Sequence, residues 1–182
     1  TLIMEFTKLV EERRSIRDFK AGMEVKKSDL EEMIKCAIEA PTWKNSQTGR
    51  YYVVSGSDMM DKIRSEALPE FNQNSSANAG ALIITAFEKT RSGFERDGRP
   101  ANELGDEWGA YDLGLANELL ILKARELGLD TLIMGIRNAD KLRELLAIPE
   151  TQEVVAVIAV GCREADPQRP KRKDVKDVAV FF

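Results

Sequence analysis

The stretch that decides the fold is YDLGLANELLILKARELGLDTLIMGI (111–136), in which a long apolar helix pattern runs directly into a strand. Leucine, isoleucine and alanine recur at helical spacing, and we expect a helix over about 106–127. Because almost no polar face remains between Leu113 and Leu122, this helix lies at the centre of the molecule or in a subunit interface. After Gly128, the run DTLIMGI predicts a buried strand.

Helix and strand patterns alternate on both sides of this stretch. Upstream lie a helix in SDLEEMIKCAIEA (28–40), a strand in RYYVVS (50–55), a helix from Ser57 to about Ala67 and an apolar strand in GALIITAF (80–87). Downstream lie the helix NADKLRELLAI (138–148), with Asn138 as its N-cap, and the strand EVVAVIAVG (153–161). Ser28 and Glu31 have the spacing of a capping box, and Pro41 ends that helix. The pattern predicts mixed α and β content but does not by itself separate an antiparallel sheet from a parallel, doubly wound one.

Two segments carry no such pattern. The polar segment 88–107, EKTRSGFERDGRPANELGDE, is a candidate lid over a binding site. The segment 163–182 combines prolines, a dense basic run and an apolar end, which is typical of an extended arm with a strand-like anchor. At 182 residues, we expect a single domain spanning 1–182.

Composition limits the chemistry and the partners. The chain contains no histidine, which excludes Ser-His-Asp triads and His-Glu-x-x-His metal sites. The formal net charge of −4 argues against nucleic acid as the main partner, because affinity for nucleic acid depends on many clustered cations. No apolar run approaches the roughly 18 residues of a membrane span, so we expect no membrane partner.

The first residues and the cysteines indicate the compartment. The segment TLIMEFTKLVEERR (1–14) lacks the basic start and the small-residue cleavage site of a secretory signal. Cys36 and Cys162 are the two cysteines, and neither belongs to a Cys-x-x-Cys motif. We therefore expect a cytoplasmic protein whose thiols stay reduced.

Positive charge is concentrated in two short clusters. The stretch ERRSIRDF (12–19) places Arg13, Arg14 and Arg17 around Ser15, and a second basic cluster occupies 169–173. From the residues alone, a solvated helix end and an anion site both explain the first cluster. Arginine presents a planar fork that suits phosphate oxygens, and the serine hydroxyl adds a donor, so a phosphate is the favoured anion.

Four blocks, taken in order and spacing, resemble FMN-dependent nitroreductase-like oxidoreductases. They are ERRSIRDF (12–19), APTWKNSQ (40–47), the stretch 111–136 and LRELLAIPETQEVVAVIAVG (142–161). The resemblance covers nearly the whole chain. It implies an α+β fold in which a central, mainly antiparallel sheet is flanked by helices. It also implies an intertwined homodimer with the long helix in its interface and with equivalent FMN sites built from both chains.

The resemblance assigns the opening cluster to the flavin. Arg13, Ser15 and Arg17 match the R-x-S-x-R positions that contact the phosphate, the ribityl chain and the pyrimidine side of the ring. Arg14 lies between them and is expected to contribute through its backbone or its side chain. Such cations neutralise a phosphate and stabilise the anionic reduced flavin near N1 and O2.

The basic run near the end of the chain matches a second pair of phosphate-binding cations. Arg172 and Lys173 are the favoured residues, in a register that the run leaves open by one residue. From the residues alone, this run also fits an exposed basic tail.

The turn 41–47 matches the pattern P-[ST]-x-x-N-x-Q, which in the family reaches across to the flavin of the partner chain. Its matched cofactor-binding residues are Pro41, Thr42, Trp43 and Asn45. From the residues alone, the segment reads as a helix stop followed by a turn. It departs from the family pattern at Thr48–Gly49, where the family continues with proline and an aromatic residue. Trp43 is also bulky for its position.

Met134, Gly135 and Ile136 end the strand of the central stretch. In the family, a backbone N–H at this place points to flavin N5, the atom that carries hydride. A glycine there permits close approach of the backbone to the ring. A simple turn at the end of a strand is the alternative reading.

The resemblance implies a ping-pong reaction in which NADH or NADPH reduces FMN at N5, leaves, and is replaced by a small acceptor such as a nitroaromatic or a quinone. No protein acid or base is then indispensable, so no catalytic side chain is assigned. The alternatives are a reductive dehalogenase or flavin-fragmenting enzyme of the same superfamily, a flavin-binding module without rapid turnover, and a non-catalytic protein that binds through its basic tail. The physiological acceptor, the choice between NADH and NADPH and the role of 88–107 are not determined by the sequence.

Overall fold

The order of elements in the computed structural model, which describes residues 5–182, follows the sequence prediction closely. The first four residues of the segment inspected for a secretory signal lie outside the described residues. The helices are α1 (Phe6–Glu12), α2 (Lys27–Ala37), α3 (Ser57–Ala67), α4 (Glu70–Ser76), α5 (Glu107–Glu126), α6 (Ala139–Leu146) and α7 (Val175–Val178). The strands are β1 (Gly49–Val54), β2 (Ala81–Glu88), β3 (Asp130–Met134) and β4 (Gln152–Gly161), and a 3₁₀ helix covers Trp43–Asn45.

The four strands form one sheet in the order β1-β2-β4-β3. Every neighbouring pair in this sheet is antiparallel. This confirms the α+β expectation of a mainly antiparallel sheet flanked by helices and excludes the parallel, doubly wound alternative. Strands β2 and β4 lie in the middle of the sheet. Their sequences are apolar over most of their length because helices cover both of their faces.

Helices cover both faces of the sheet, and successive side chains of the central strands point to opposite faces. On one face, Ile84 belongs to a core cluster with Ile63 of α3 and Leu142 of α6. On the other face, Ile83 belongs to a second cluster with Leu120 of α5. All five side chains are fully buried. Burial of each side chain contributes about 1.5–3 kcal/mol of transfer free energy. These side chains therefore hold the helices against the two faces of the sheet.

Helix α5 is the longest helix, with 20 residues and a length of about 30 Å. One side is buried against the sheet, as the sequence predicted. The other side carries an exposed stripe consisting of Tyr111, Leu115 and Glu118, so of the two predicted locations the centre of the single chain accounts for only part of the helix surface, and the subunit interface stays a prediction. Among residues 5–182, neither α5 nor any other helix has the length and apolarity needed to cross a membrane.

The segment that follows α1 is attached to the open edge of β3. Ser15 forms a parallel bridge with Thr131, and the N–H of Ile16 donates to the Thr131 carbonyl over 3.0 Å. Ile16 and Phe19 are buried, at 1% and 2% exposure. Since neighbouring side chains in extended backbone point in opposite directions, burial of Ile16 turns Ser15 and Arg17 outward.

A buried ion network fixes the start of β3. Oδ1 of Asp130 accepts from Nη1 of Arg125 over 2.9 Å and from Nη2 of Arg163 over 2.6 Å. The backbone N–H of Arg163 donates to Oδ2 of Asp130 over 3.0 Å. Burial raises the pKa of the Asp130 carboxyl, but the hydrogen bonds and charges of the two arginines outweigh burial and hold the pKa below its ordinary value. The network ties β3 to the beginning of the C-terminal segment.

Two local predictions are wrong. The capping box of Ser28 and Glu31 is absent, because α2 begins at Lys27 and Lys26 is its N-cap, without a side-chain hydrogen bond. Ser28 already has helical neighbours on both sides and so does not occupy a cap position. The strand-like anchor predicted at the end of 163–182 is not a strand, because the chain there forms the short helix α7, and residues 179–182 after it belong to no helix or strand. A capping box between Asp174 and Asp177 stabilises this helical turn, and within the described chain no strand pairs with the segment.

Candidate functional site

The two basic clusters from opposite ends of the sequence meet in one pocket of about 170 Å³. The pocket is lined by Arg13, Arg14, Ser15, Arg17, Pro167, Gln168, Pro170 and Arg172. This lining carries four guanidinium groups, a hydroxyl and an amide, and it includes no carboxylate. Such a donor set suits the oxygens of a phosphate, because guanidinium groups bind them with paired, charge-assisted hydrogen bonds. We call it the arginine pocket.

The arginines of this pocket differ in how much of their hydrogen-bonding capacity is already used. Nε of Arg14 donates to the carbonyl of Pro167 over 3.2 Å, and its Nη1 donates to the carbonyl of Arg13 over 2.9 Å. Arg14 therefore holds the C-terminal segment against the end of α1. Within residues 5–182, the side chains of Arg13 and Arg17 donate no hydrogen bond to the chain, so both are available to a ligand.

The C-terminal basic run contributes differently from the prediction. Arg172 lines the arginine pocket, but Lys173 does not. Arg169 lines an adjoining lobe that shares Arg13, Arg14 and Arg172 with the pocket and also includes Glu118 of α5. The sequence analysis did not single out Arg169, although the density of positive charge over 169–173 pointed to it. Of this run, Arg172 therefore lines the pocket and Arg169 lines the adjoining lobe, while the binding role predicted for Lys173 stays a prediction.

The turn 41–47 has a strained backbone. Lys44, Asn45 and Gln47 have φ values of 46°, 54° and 51°, in the left-handed region that residues with a side chain seldom adopt. Each such residue costs on the order of 1 kcal/mol and persists only where its surroundings hold it. One support is local, since the N–H of Gln47 donates to Oγ1 of Thr42 over 3.2 Å. Pro41 and Asn45 are exposed.

A second support for the turn is a buried polar network centred on Asp112 of α5. Oδ2 of Asp112 accepts from the N–H of Trp43 over 2.9 Å and from the hydroxyl of Ser92 over 2.7 Å. The Ser92 hydroxyl also lies 2.7 Å from that of Ser46 and 3.3 Å from that of Thr48. Asp112 is 5% exposed and Ser92 is 1% exposed. Thr48, a departure from the family pattern, thus supplies a buried hydroxyl to this network.

Trp43 is accommodated by aromatic neighbours on α5. Its ring centroid lies 5.0 Å from that of Trp108, and Trp108 lies 5.4 Å from Tyr111 in an edge-to-face arrangement. Such pairs contribute about 0.5–1.5 kcal/mol beyond their buried area. The bulky residue at this position is therefore part of an aromatic cluster rather than a projection into an empty site.

Within one chain, the turn and the arginine pocket lie on opposite sides of α5. Thr42 and Gln47 line a separate cleft of about 210 Å³ that shares no residue with the arginine pocket. Ala116 of α5 lines this cleft, whereas Glu118 lines the basic lobe. Two residues along a helix point about 200° apart, so the helix separates the two places by its own width of about 10 Å. The chain does not bring these two sets of predicted site residues together.

The end of β3 lies on the same sheet edge as the opening cluster. Met134 is buried, at 2% exposure, whereas Ile136 is 64% exposed. A Cβ atom at Gly135 would meet no atom of the chain within 4 Å, so the space beside this backbone is open. Nδ2 of Asn72 donates to the carbonyl of Ile136 over 2.9 Å, which fixes the course of the chain after the strand. Within the described chain, the N–H of Gly135 donates to no backbone carbonyl.

The cleft beside the turn contains a buried hydroxyl. Tyr51 lines this cleft, and its hydroxyl is buried and, among residues 5–182, has no hydrogen-bond partner. Burial raises the pKa of Tyr51 to about 12. No group of three or more histidine, cysteine, aspartate or glutamate residues in the described chain could hold a metal ion.

Comparison with known proteins identifies the family. The model of the nitroreductase family matches residues 10–162. MhqN of Bacillus subtilis (strain 168), assigned by name as an NAD(P)H nitroreductase, is 28% identical over 98% of this chain and 99% of its own length. Iodotyrosine deiodinase 1 of Mus musculus is 26% identical over 97% of this chain and 69% of its own. An assigned nitroreductase from Exiguobacterium sibiricum 255-15, solved in complex with FMN, superposes with a TM-score of 0.86 at 20% identity over 98% of both chains, which shows the same fold. With one family model matching most of its length, this chain belongs to the nitroreductase family.

Proposed function

We propose that this protein is an FMN-dependent oxidoreductase that uses NADH or NADPH to reduce a small acceptor. The observation that carries the proposal is the arginine pocket, in which Arg13 and Arg17 meet Arg172 from the other end of the chain. Its lining fits a terminal phosphate, because it is rich in guanidinium groups and contains no competing carboxylate. The FMN complex of the Exiguobacterium relative and the assigned name of MhqN support the same cofactor and reductant.

In this proposal, the residues hold the cofactor along the edge of β3. Arg172 and one of the pair Arg13 and Arg17 bind the phosphate, the other member of the pair lies towards the pyrimidine side of the ring, and Ser15 adds a hydroxyl. Farther along the same edge, the N–H of Gly135 has no backbone acceptor among residues 5–182 and can donate to the ring. Since Ser15 bridges Thr131, about four strand residues separate the two ends, or roughly 13 Å, which an extended ribityl chain and ring can bridge. When bound, FMN supplies a carrier that accepts hydride from the nicotinamide at N5 and passes electrons to the acceptor.

The chain itself supplies binding and orientation rather than a proton-transfer group. Its lack of histidine agrees with chemistry that occurs on the flavin and needs no protein acid or base. The proposed cycle is ping-pong, in which nicotinamide and acceptor occupy the same place in turn. Arg13 or Arg17, placed near the pyrimidine side of the ring, would stabilise negative charge on the reduced flavin. A small planar acceptor, such as a nitroaromatic or a quinone, suits this arrangement.

The complete site in this proposal needs a homodimer. The turn 41–47 lies across α5 from the arginine pocket of its own chain, which supports a role for the turn at the flavin of a neighbouring chain. The exposed stripe of α5 and the apolar residues Val178 and Phe181, which are 70% and 84% exposed, offer surface that a partner would cover. The segment 88–107, which packs on Trp108, would act as a lid over the acceptor. We place the enzyme in the cytoplasm, where its free cysteines stay reduced.

A second candidate, reductive dehalogenation, is favoured by the likeness to iodotyrosine deiodinase 1. This reading uses the same flavin site and differs in the acceptor. Steady-state assays with a nitroaromatic, a quinone and a halogenated phenol, each with the same reductant, separate the two. Release of halide at a rate comparable to quinone reduction would favour the dehalogenase.

The proposed function is tested on the flavin itself. Protein as purified, or reconstituted with flavin, is denatured and the released flavin is identified by chromatography. We expect FMN rather than FAD, because the arginine pocket meets one terminal phosphate and the chain lacks a G-x-G-x-x-G turn for a pyrophosphate. Anaerobic mixing with NADH or NADPH should then bleach the flavin absorbance. A protein that binds only FAD, or no flavin, is not the enzyme proposed here.

A further inference from the structure

The starting observation is that three strained residues of the turn 41–47 lie beside one buried carboxylate. Lys44, Asn45 and Gln47 have positive φ values, and Asp112 binds the backbone N–H of Trp43 at the start of the same turn. An ionised acceptor forms hydrogen bonds roughly twice as strong as those of a neutral one. Asp112 is therefore well placed to offset the cost of this backbone conformation.

The same carboxylate also binds the segment 88–107. The Ser92 hydroxyl donates to Asp112 and lies within hydrogen-bonding distance of Ser46 and Thr48 on the far side of the turn. Ser92 is thus held between the turn and α5 and is almost completely buried. Neither segment can shift without breaking a hydrogen bond that the other one uses.

We propose that Asp112 and Ser92 are positioning residues, which hold the turn 41–47 in the geometry needed at the flavin and couple its movement to that of the segment 88–107. The role of the turn at the flavin rests on the proposed function, whereas the coupling of the two segments rests on the hydrogen bonds alone. In mechanistic terms, loss of Asp112 frees the N–H of Trp43 and the hydroxyl of Ser92 together. The strained residues then relax, and the wall that they form beside the flavin is lost.

The coupling is tested without flavin, by hydrogen exchange of the full-length apoprotein. Peptides covering 42–48 and 88–95 are followed in the wild type and in Asp112→Ala, Asp112→Asn and Ser92→Ala. We expect Asp112→Ala to accelerate exchange roughly tenfold or more in both peptides, as loss of hydrogen bonds to a charged group implies. Asp112→Asn keeps an acceptor of the same shape and should give a smaller acceleration, again in both peptides.

The matched control is Asp106→Asn. Oδ1 of Asp106 accepts from the N–H of Thr90 over 2.6 Å, and among residues 5–182 its side chain forms no hydrogen bond to the turn. Because Ser92 keeps its hydrogen bond to Asp112 in this variant, we expect Asp106→Asn to accelerate exchange near Thr90 and to leave the 42–48 peptide unchanged. If Asp112→Ala loosens one peptide only, the coupling through Asp112 is refuted.

The effect of Asp112 on flavin binding is tested by FMN titration of the same variants. We expect Asp112→Ala to weaken FMN binding by about tenfold, with partial recovery in Asp112→Asn, while Asp106→Asn binds like the wild type. Coupled exchange with unchanged FMN affinity in Asp112→Ala would refute the positioning role. A wild type that binds no FMN would refute the proposed function and the positioning role at the flavin. The hydrogen-exchange data would still decide whether the two segments are coupled. Ser92→Ala, the milder change, keeps the test valid if Asp112→Ala fails to fold.

Discussion

Replacing Asp130 with asparagine tests how the chain ties the beginning of its C-terminal segment to β3. The Asp130 side chain is 2% exposed, and Arg125 and Arg163 are 22% and 17% exposed. Breaking a buried ion pair by removing one partner costs about 3–5 kcal/mol, because a charge is left without compensation. We expect the lower end, about 3 kcal/mol, since both arginines reach some solvent and Arg163 keeps a bond to Asp166. For a chain of this length, that corresponds to a decrease in melting temperature of about 6–12 °C.

The dependence on pH has a definite sign. The folded-state pKa of Asp130 lies below its unfolded value of about 3.9. The carboxylate therefore contributes stability that is fully present above the unfolded pKa and is lost as the pH falls through the folded pKa. The melting temperatures of the wild type and Asp130→Asn should differ by a constant amount between about pH 5 and 7. The difference should narrow below about pH 4.

Thermal unfolding followed by circular dichroism on apoprotein measures both effects. Asp166→Asn is the control, because Asp166 binds the same arginine over 2.6 Å but is 80% exposed, and an exposed pair contributes less than about 1 kcal/mol. An Asp130→Asn protein that melts within about 2 °C of the wild type at pH 7 would refute the reasoning. So would a difference that stays constant below pH 4.

Three further predictions concern the site and the interface. Arg13→Ala and Arg17→Ala should each weaken FMN binding by about 1.5–3 kcal/mol in a titration, whereas Arg99→Ala, which removes an exposed loop cation, should leave FMN binding unchanged. Unchanged FMN affinity in both Arg13→Ala and Arg17→Ala would show that the cluster is a solvated helix end. Deleting 178–182 should weaken the dimer and lower the flavin content together, because assembly and flavin binding are linked, and both are followed across a dilution series by sedimentation and flavin absorbance. A monomer with stoichiometric FMN would contradict the two-chain site. Tyr51→Phe should raise the free energy of unfolding by about 1 kcal/mol, measured by urea denaturation, because it removes a buried hydroxyl that has no hydrogen-bond partner among residues 5–182. A loss of stability would show that the hydroxyl has a hydrogen-bond partner.

The parts of the fold that follow from burial of apolar faces could be predicted from the sequence. The apolar run of β2 and the periodic pattern of α3 were located correctly, because each buries one continuous set of side chains. Helix α4 was missed because its pattern is reversed: Phe71 is 56% exposed, whereas Asn72 and Ser76 are buried. The Asn72 side chain donates to the distant carbonyl of Ile136, and the Ser76 hydroxyl donates to the carbonyl of Asn72 one turn earlier in the same helix. Buried polar side chains of this kind give no apolar periodicity along the sequence.

The candidate site was predictable to the extent that it consists of short contiguous motifs. The cluster 12–19 and the run 169–173 stood out by charge, but their meeting in one pocket depends on the path of the chain between them. Asp112 and Ser92 could not be found, since a single acid and a single serine 20 residues apart reveal nothing until the fold places them 2.7 Å from each other. Spacing along the chain also could not reveal that α5 separates the turn from the arginine pocket.

The arginine pocket joins residues from nearly the full length of the chain, and this determines when it can form. Arg14 binds the carbonyl of Pro167 across 153 positions of sequence. Contacts of such long range are formed late, because the intervening chain must first be ordered, and synthesis proceeds from the N-terminus. A nascent chain that has not yet released 163–172 from the ribosome lacks part of this pocket, however well its sheet has begun to pair. If FMN binds in the pocket as proposed, its binding follows the synthesis of this segment, and the flavin does not act as a template for the early steps of folding.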